Sequence, residues 1–148
     1  MRDVSWPLVG TPEPEAGVPT TVGHACTLVG QDLLTESAIA GRFPQLRWTA
    51  EPHPLGVANT LLLGLTGADM SFAFDLELTL PTPNLIAALA DRVQTHFTGY
   101  EFITWPLCWV QGHQHPMTAT VTLDERASWV CPSTGTVVSL IGELTTDC

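Results

Sequence analysis

From Ser71 to Leu80 the chain alternates without interruption, with Phe72, Phe74, Leu76, Leu78 and Leu80 on one side and Ser71, Asp75, Glu77 and Thr79 on the other. A period of two sustained this long predicts a strand with one packed and one wet face, and hence an antiparallel sheet. Leu46, Trp48 and Ala50 alternate in the same way with Arg47, Thr49 and Glu51, and Pro52-His53-Pro54 ends that strand. Between the two, Val57 to Leu65 is almost wholly apolar, as in a strand covered on both faces. Gly67-Ala68-Asp69 offers a hairpin turn into the strand that follows.

The pattern then changes period. Leu85, Ile86, Leu89, Ala90, Val93 and Phe97 recur every three or four residues, with Asp91, Arg92, Gln94 and Thr95 opposite them. Asn84 is the expected N-cap of this helix and Gly99 its expected terminator. Its apolar stripe is expected to lie on the Phe72/Phe74/Leu76 row. A shorter helix is expected over Leu33–Phe43, capped by Thr35 and stopped by Pro44, and Tyr100 to Trp105 reads as a returning strand. Residues 1–23 carry Pro7, Pro12, Pro14 and Pro19 with Gly10, Gly17 and Gly23, which reads as an irregular arm anchored at most by Trp6 and Val9.

Beyond Pro106 three further strands are predicted. Met117, Ala119, Val121 and Leu123 alternate with threonines, Asp124-Glu125-Arg126 turns the chain back into Ala127–Val130, and Val137–Ile141 closes the meander. The expected architecture is α+β: an antiparallel sheet packed by one main helix, followed by a three-stranded, ribbon-like meander. Its 148 residues fit a single domain, divided into an arm (1–23), a sheet-plus-helix body (24–105) and a ribbon-like subdomain (106–148).

Charge narrows the partners. Fifteen acidic residues face five basic ones, all arginine, for a formal charge of −10. Phosphate affinity comes from clustered Lys and Arg, so direct nucleic-acid binding is not expected; the negative field first serves solubility, and a protein partner, if basic, would suit it. No apolar run is long enough for a transmembrane helix and no signal peptide is visible, which makes the cytoplasm the expected compartment. There the four cysteines, Cys26, Cys108, Cys131 and Cys148, would be reduced or metal-bound.

Two cysteines open loops that lead into predicted strands. One loop reads Cys108-Trp109-Val110-Gln111-Gly112-His113-Gln114-His115-Pro116, the other Trp129-Val130-Cys131-Pro132-Ser133-Thr134-Gly135. The arrangement resembles a zinc ribbon, a family in which two knuckles, commonly C-x2-C-G, converge their thiolates on one tetrahedral zinc. Here Thr134 stands where the second knuckle would carry its second cysteine, and His113 and His115 replace that of the first. The resemblance implies a structural zinc on Cys108, His113, His115 and Cys131, a Cys2His2 set that zinc accepts. Two other readings stay open: a metal-free ribbon packed by Trp105, Trp109 and Trp129, and a Cys108–Cys131 disulfide, which needs an oxidising compartment.

Trp105-Pro106-Leu107-Cys108, His115-Pro116, Trp129-Val130-Cys131-Pro132 and Ile141-Gly142-Glu143-Leu144 together resemble small uncharacterised actinobacterial proteins. That resemblance implies a shared domain and brings no activity with it.

No catalytic motif is present. The zinc-deaminase signature, H-E-x-x-H, G-x-S-x-G and the glycine-rich phosphate loops are all missing from the sequence. Asp75 and Glu77 share a wet strand face, where carboxylates usually serve solvation. His24, His53 and His96 are isolated, and His96 near a helix C-terminus suits the dipole there. The function expected is a non-enzymatic protein-binding or accessory module. The alternative is an acidic inhibitor, an immunity protein or DNA mimic, acting on a basic partner, and a zinc-dependent enzyme stands third.

Overall fold

The alternation over residues 46–77 becomes three neighbouring strands in a computed structural model that describes residues 1–108 and 115–145, with Cys108 described in its backbone alone. These strands are β2 (Arg47–Pro52), β3 (Thr60–Thr66) and β4 (Ser71–Glu77). A fourth, β1 (Val4–Pro7), pairs with β2, giving an antiparallel sheet of order β1-β2-β3-β4. Register aligns Trp6, Trp48, Leu65 and Phe72 in one row and Val4, Ala50, Leu63 and Phe74 in the next. Both rows face inward. The opposite face presents Ser5, Thr49 and Ala73, then Glu51, Leu62 and Asp75.

The first 23 residues are therefore not an irregular arm. Trp6 is only 2% exposed within β1, and a short 3-10 turn at Pro14–Ala16 precedes a long helix, α1 (Thr20–Leu33). Pro19 does not break the chain here: it sits just outside the helix, and its carbonyl accepts the N–H groups of Val22 and Gly23. Val22, Ala25, Cys26, Val29 and Leu33 form the buried stripe of α1. Gly30 in that stripe meets β1's exit segment so closely that a Cβ there would lie 2.2 Å from the Leu8 carbonyl oxygen. The short helix expected over Leu33–Phe43 is cut back to α2 (Ser37–Arg42), and its cap is Glu36, whose carboxylate accepts the Ala38 N–H. Thr35 instead donates to the Asp32 carbonyl and closes the end of α1.

The amphipathic stripe over 85–97 forms α3 (Thr82–Gly99), which starts three residues earlier than an Asn84 cap would set, with Pro81 in the cap position. Leu85, Leu89, Val93 and Phe97 are buried, each side chain contributing about 1.5–3 kcal/mol by leaving water. The single main helix expected is in fact a pair: α3 lies against α1 and against β4. Residues 100–105 are not a strand. The N–H of Tyr100 returns to the His96 carbonyl, that of Ile103 to Phe97, and Phe102 takes a left-handed backbone with φ 56°.

A two-stranded ribbon, β5 (Leu107–Cys108) with β6 (His115–Pro116), leads into the meander β7 (Thr118–Val121), β8 (Ala127–Val130) and β9 (Val137–Leu140). The meander's three strands pair antiparallel in chain order. α3 also packs on β7 and β8, so the helices sit between two antiparallel sheets, and one hydrophobic cluster runs through both, from Trp6 to Ile141. Trp105 and Trp129 meet edge to face inside it, ring centres 5.3 Å apart.

Asp32, at the end of α1 and wholly buried, joins the layers. Its Oδ2 accepts the Trp129 indole N–H and the Gly142 N–H, both at 2.7 Å, and its Oδ1 accepts the Leu144 N–H at 3.1 Å. Its carbonyl accepts the Trp105 indole at 3.2 Å. Gly142 reaches this position with φ 102° and its Cα against Leu28, where a side chain would collide.

Candidate functional site

Cys131 follows β8 and begins a tight turn. Its carbonyl accepts the Gly135 N–H at 2.8 Å, its own N–H reaches the Thr136 carbonyl at 2.9 Å, and Gly135 supplies the left-handed residue, φ 74°. Inside the turn the Thr134 hydroxyl donates to Thr136 Oγ1 at 2.9 Å and accepts the Thr136 N–H at 3.2 Å. Hydrogen bonding from the turn, Thr134 first, holds the Cys131 thiol below its usual range against the opposing effect of burial.

His115 comes to this thiol from β6. Its Nε2 lies 3.3 Å from Cys131 Sγ, and its Nδ1 is buried with no hydrogen-bond partner among the described residues. A nitrogen and a sulfur bound tetrahedrally to one zinc stand about 3.6 Å apart, given bond lengths of about 2.0–2.1 and 2.3 Å. The observed spacing is close to that. Cys108 is register partner to His115, which brings its backbone to the same corner. His113 and Trp109, and the side chain of Cys108, lie outside the described residues. Among the described residues no three His, Cys, Asp or Glu side chains converge on a metal position. The structure therefore unites His115 and Cys131 from the expected set.

The other titratable residues noted in the sequence have structural surroundings. Cys26 is a free thiol buried in α1, pushed above its usual range by desolvation. Asp75 and Glu77 are exposed, Asp75 with the His53 ring 3.2 Å away. His24 lines a cleft between the proline-rich turn and α1. Cys148 lies outside the described residues.

A second constellation was not foreseen. His96 stacks on Phe72, ring centres 3.7 Å apart and planes 8° from parallel, and on its other neighbour Tyr100 at 5.4 Å. Its Nε2 meets Glu101 Oε2 at 2.9 Å, and Arg42 donates to the Glu101 carbonyl at 2.7 Å. The loop is thereby pinned, yet Tyr100 and Phe102 on it are 73% and 85% exposed. The closeness of Phe97, Tyr100 and Phe102 along the chain was the one available hint. Among the described residues no helix is long and apolar enough to cross a membrane. The chain matches no protein-family model, no curated protein and no solved structure.

Proposed function

We propose that the chain is a non-enzymatic protein-binding module whose meander is a degenerate zinc ribbon. The observation that carries the binding role is the pinned loop with its two exposed aromatic residues. A phenylalanine in a left-handed backbone pays strain, and at 85% exposure Phe102 gains nothing in the core for it. Aromatic side chains on a rigid loop lose little freedom on docking and are enriched among the residues that dominate interfaces. A basic partner suits the −10 charge.

Cys108, His113, His115 and Cys131 would hold the zinc. The lowered thiol of Cys131 and the 3.3 Å spacing to His115 Nε2 support that set. Four protein ligands fill a tetrahedron and leave no position for water or substrate, which fits a structural metal and a non-enzymatic role.

Two measurements test the reading. Elemental analysis of protein purified without added metal should give about one zinc per chain; under about a tenth, with no gain on adding zinc, the tryptophan-packed metal-free meander is the better account. Affinity capture with wild type and with Tyr100→Ser/Phe102→Ser should recover a partner only with the wild type, at unchanged melting temperature. Equal recovery by both would remove the loop from the interface.

A further inference from the structure

The two edges of the main sheet differ. β1 has four residues and ends in Pro7, a short edge of the kind that resists further pairing. β4 has seven residues, no proline and an unbroken register with β3 from Thr66↔Ser71 to Thr60↔Glu77. It carries no proline, lysine or bulge, its only charges are the acidic Asp75 and Glu77, and among the described residues it pairs with β3 alone.

The phase of its free hydrogen-bonding groups can be read from both ends. The Gly67 N–H bonds to the Met70 carbonyl at the turn, and the Leu78 N–H to the Asn59 carbonyl at the far end, both 2.8 Å. Ladder bonds alternate in an antiparallel pair, so Phe72, Phe74 and Leu76 spend theirs on β3. The N–H and C=O groups of Ser71, Ala73, Asp75 and Glu77 then point out of the sheet along the open edge.

Beside that edge runs a cleft of about 500 Å³ between β4 and α3. Phe72 and Phe74 line one wall, and Arg92, Thr95, His96 and Tyr100 the other. Arg92 is spread over the Phe74 ring at 5.3 Å, with Asp91 next to it. A strand added to β4 would send alternate side chains into this aromatic cleft. The remaining side chains would lie on the outer face beside Asp75 and Glu77, both exposed. The arginine nearest in that face's rows, Arg47, is tied to Ser5 at the opposite edge, and the His53 ring lies 3.2 Å from Asp75.

We propose that the β4 edge and the cleft beside α3 bind an extended peptide of a partner, alternating apolar residues with Lys or Arg, as a fifth strand of the sheet. Backbone bonds to Ser71, Ala73, Asp75 and Glu77 give the affinity, and alternate pockets give the selectivity. About seven residues, roughly 23 Å of strand, span the edge. The acidic pair selects the partner's charge and works against a second copy, whose own Asp75 and Glu77 would come alongside. The inference rests on the protein-binding role proposed above and supplies the partner's chemistry.

The test uses the full chain and three synthetic heptapeptides: one alternating Val/Leu with Lys, one with Glu in place of Lys, and the Lys peptide with a central proline. Fluorescence anisotropy should show the Lys peptide binding at least about ten-fold tighter than the Glu peptide at low salt, the gap narrowing as salt screens the pair. The proline peptide should lose binding, and amide NMR shifts should fall on Ser71, Ala73 and Asp75. Ala73→Pro removes an edge donor that no ladder bond uses, so it should keep the melting temperature and lose the peptide. Asp75→Lys/Glu77→Lys, which leaves the backbone edge intact, should reverse the preference toward the Glu peptide. Equal binding of the two charged peptides, or shifts confined to other elements, would overturn the proposal. So would a wild-type dimer in sedimentation that Ala73→Pro abolishes, because the edge would then serve a second copy. Loss of partner capture in the Tyr100/Phe102 variant, with no peptide bound at β4, would sink this inference and leave the binding module standing; failure of both would sink both.

Discussion

Asp32 and Trp129 stand 97 residues apart in sequence and share a 2.7 Å hydrogen bond in the core, indole N–H to carboxylate. That carboxylate also accepts the backbone N–H groups of Gly142 and Leu144. Removing it with Asp32→Ala strands three donors, each costing about 1–3 kcal/mol where buried. Urea denaturation should show a loss of at least about 3 kcal/mol, with a smaller loss for Asp32→Asn, which keeps one oxygen. A loss below about 1 kcal/mol for Asp32→Ala would mean that water replaces the carboxylate.

The same group sets a pH dependence. Burial pushes the Asp32 carboxyl above its usual range, and the N–H donors of Gly142, Trp129 and Leu144 only partly pull it back. A raised folded value means that the folded state holds the proton more tightly than the unfolded chain does. The stability this contributes is complete below the ordinary carboxylate range and is lost as pH rises through the raised value. The stability of wild type minus that of Asp32→Asn should therefore shrink as pH rises through that window. Growth of the difference instead would show that the three donors outweigh burial.

Gly30 lies in a helix, where alanine normally adds about 0.8–1 kcal/mol. At this position the added methyl would meet the Leu8 carbonyl oxygen at 2.2 Å. Gly30→Ala should destabilise, and a gain in melting temperature would show that the 7–9 segment can move aside.

Leu89 is fully buried on α3. Leu89→Ala should cost about 2–5 kcal/mol, as core truncations do. Less than about 0.5 kcal/mol would place the stripe in solvent.

Chelation should lower the melting temperature of zinc-loaded protein, because thiolate ligation couples metal to folding. Most of the shared hydrophobic cluster comes from the main sheet and its helices, so far-ultraviolet circular dichroism should persist after chelation at room temperature. Collapse of the whole spectrum would mean that the meander's metal supports both layers.

The sheet and α3 were legible because each has one dry face, and a dry face writes its period into the chain: two for Phe72/Phe74/Leu76, three and four for Leu85/Leu89/Val93. α1 was hidden. Gly23 and Gly30 interrupt its stripe, and Gly30 is there to let Leu8 approach, a contact between segments that no local window contains. β1 is only four residues long, too short to display alternation, and its proline reads as loop until β2 is beside it. Asp32 gave no signal in the sequence because its partners come from far along the chain. At the candidate metal corner the Cys131 turn was legible from its local spacing, whereas the His96 stack needed a strand and a helix to meet.

The Asp32 anchor also has a consequence during synthesis. Its most distant acceptor bond is to Leu144, 112 residues further on. A ribosome adding about 5–20 residues per second needs about 6–22 s to make that stretch. For that interval α1 exists with a carboxylate that has no partner and an apolar stripe that has no complete cover. The carboxylate's donors, Trp129 on β8 and Gly142 and Leu144 beyond β9, emerge late, so completion of the fold is tied to late translation. A pause anywhere between codons 33 and 144 lengthens that interval, while the same pause before codon 20 leaves it unchanged.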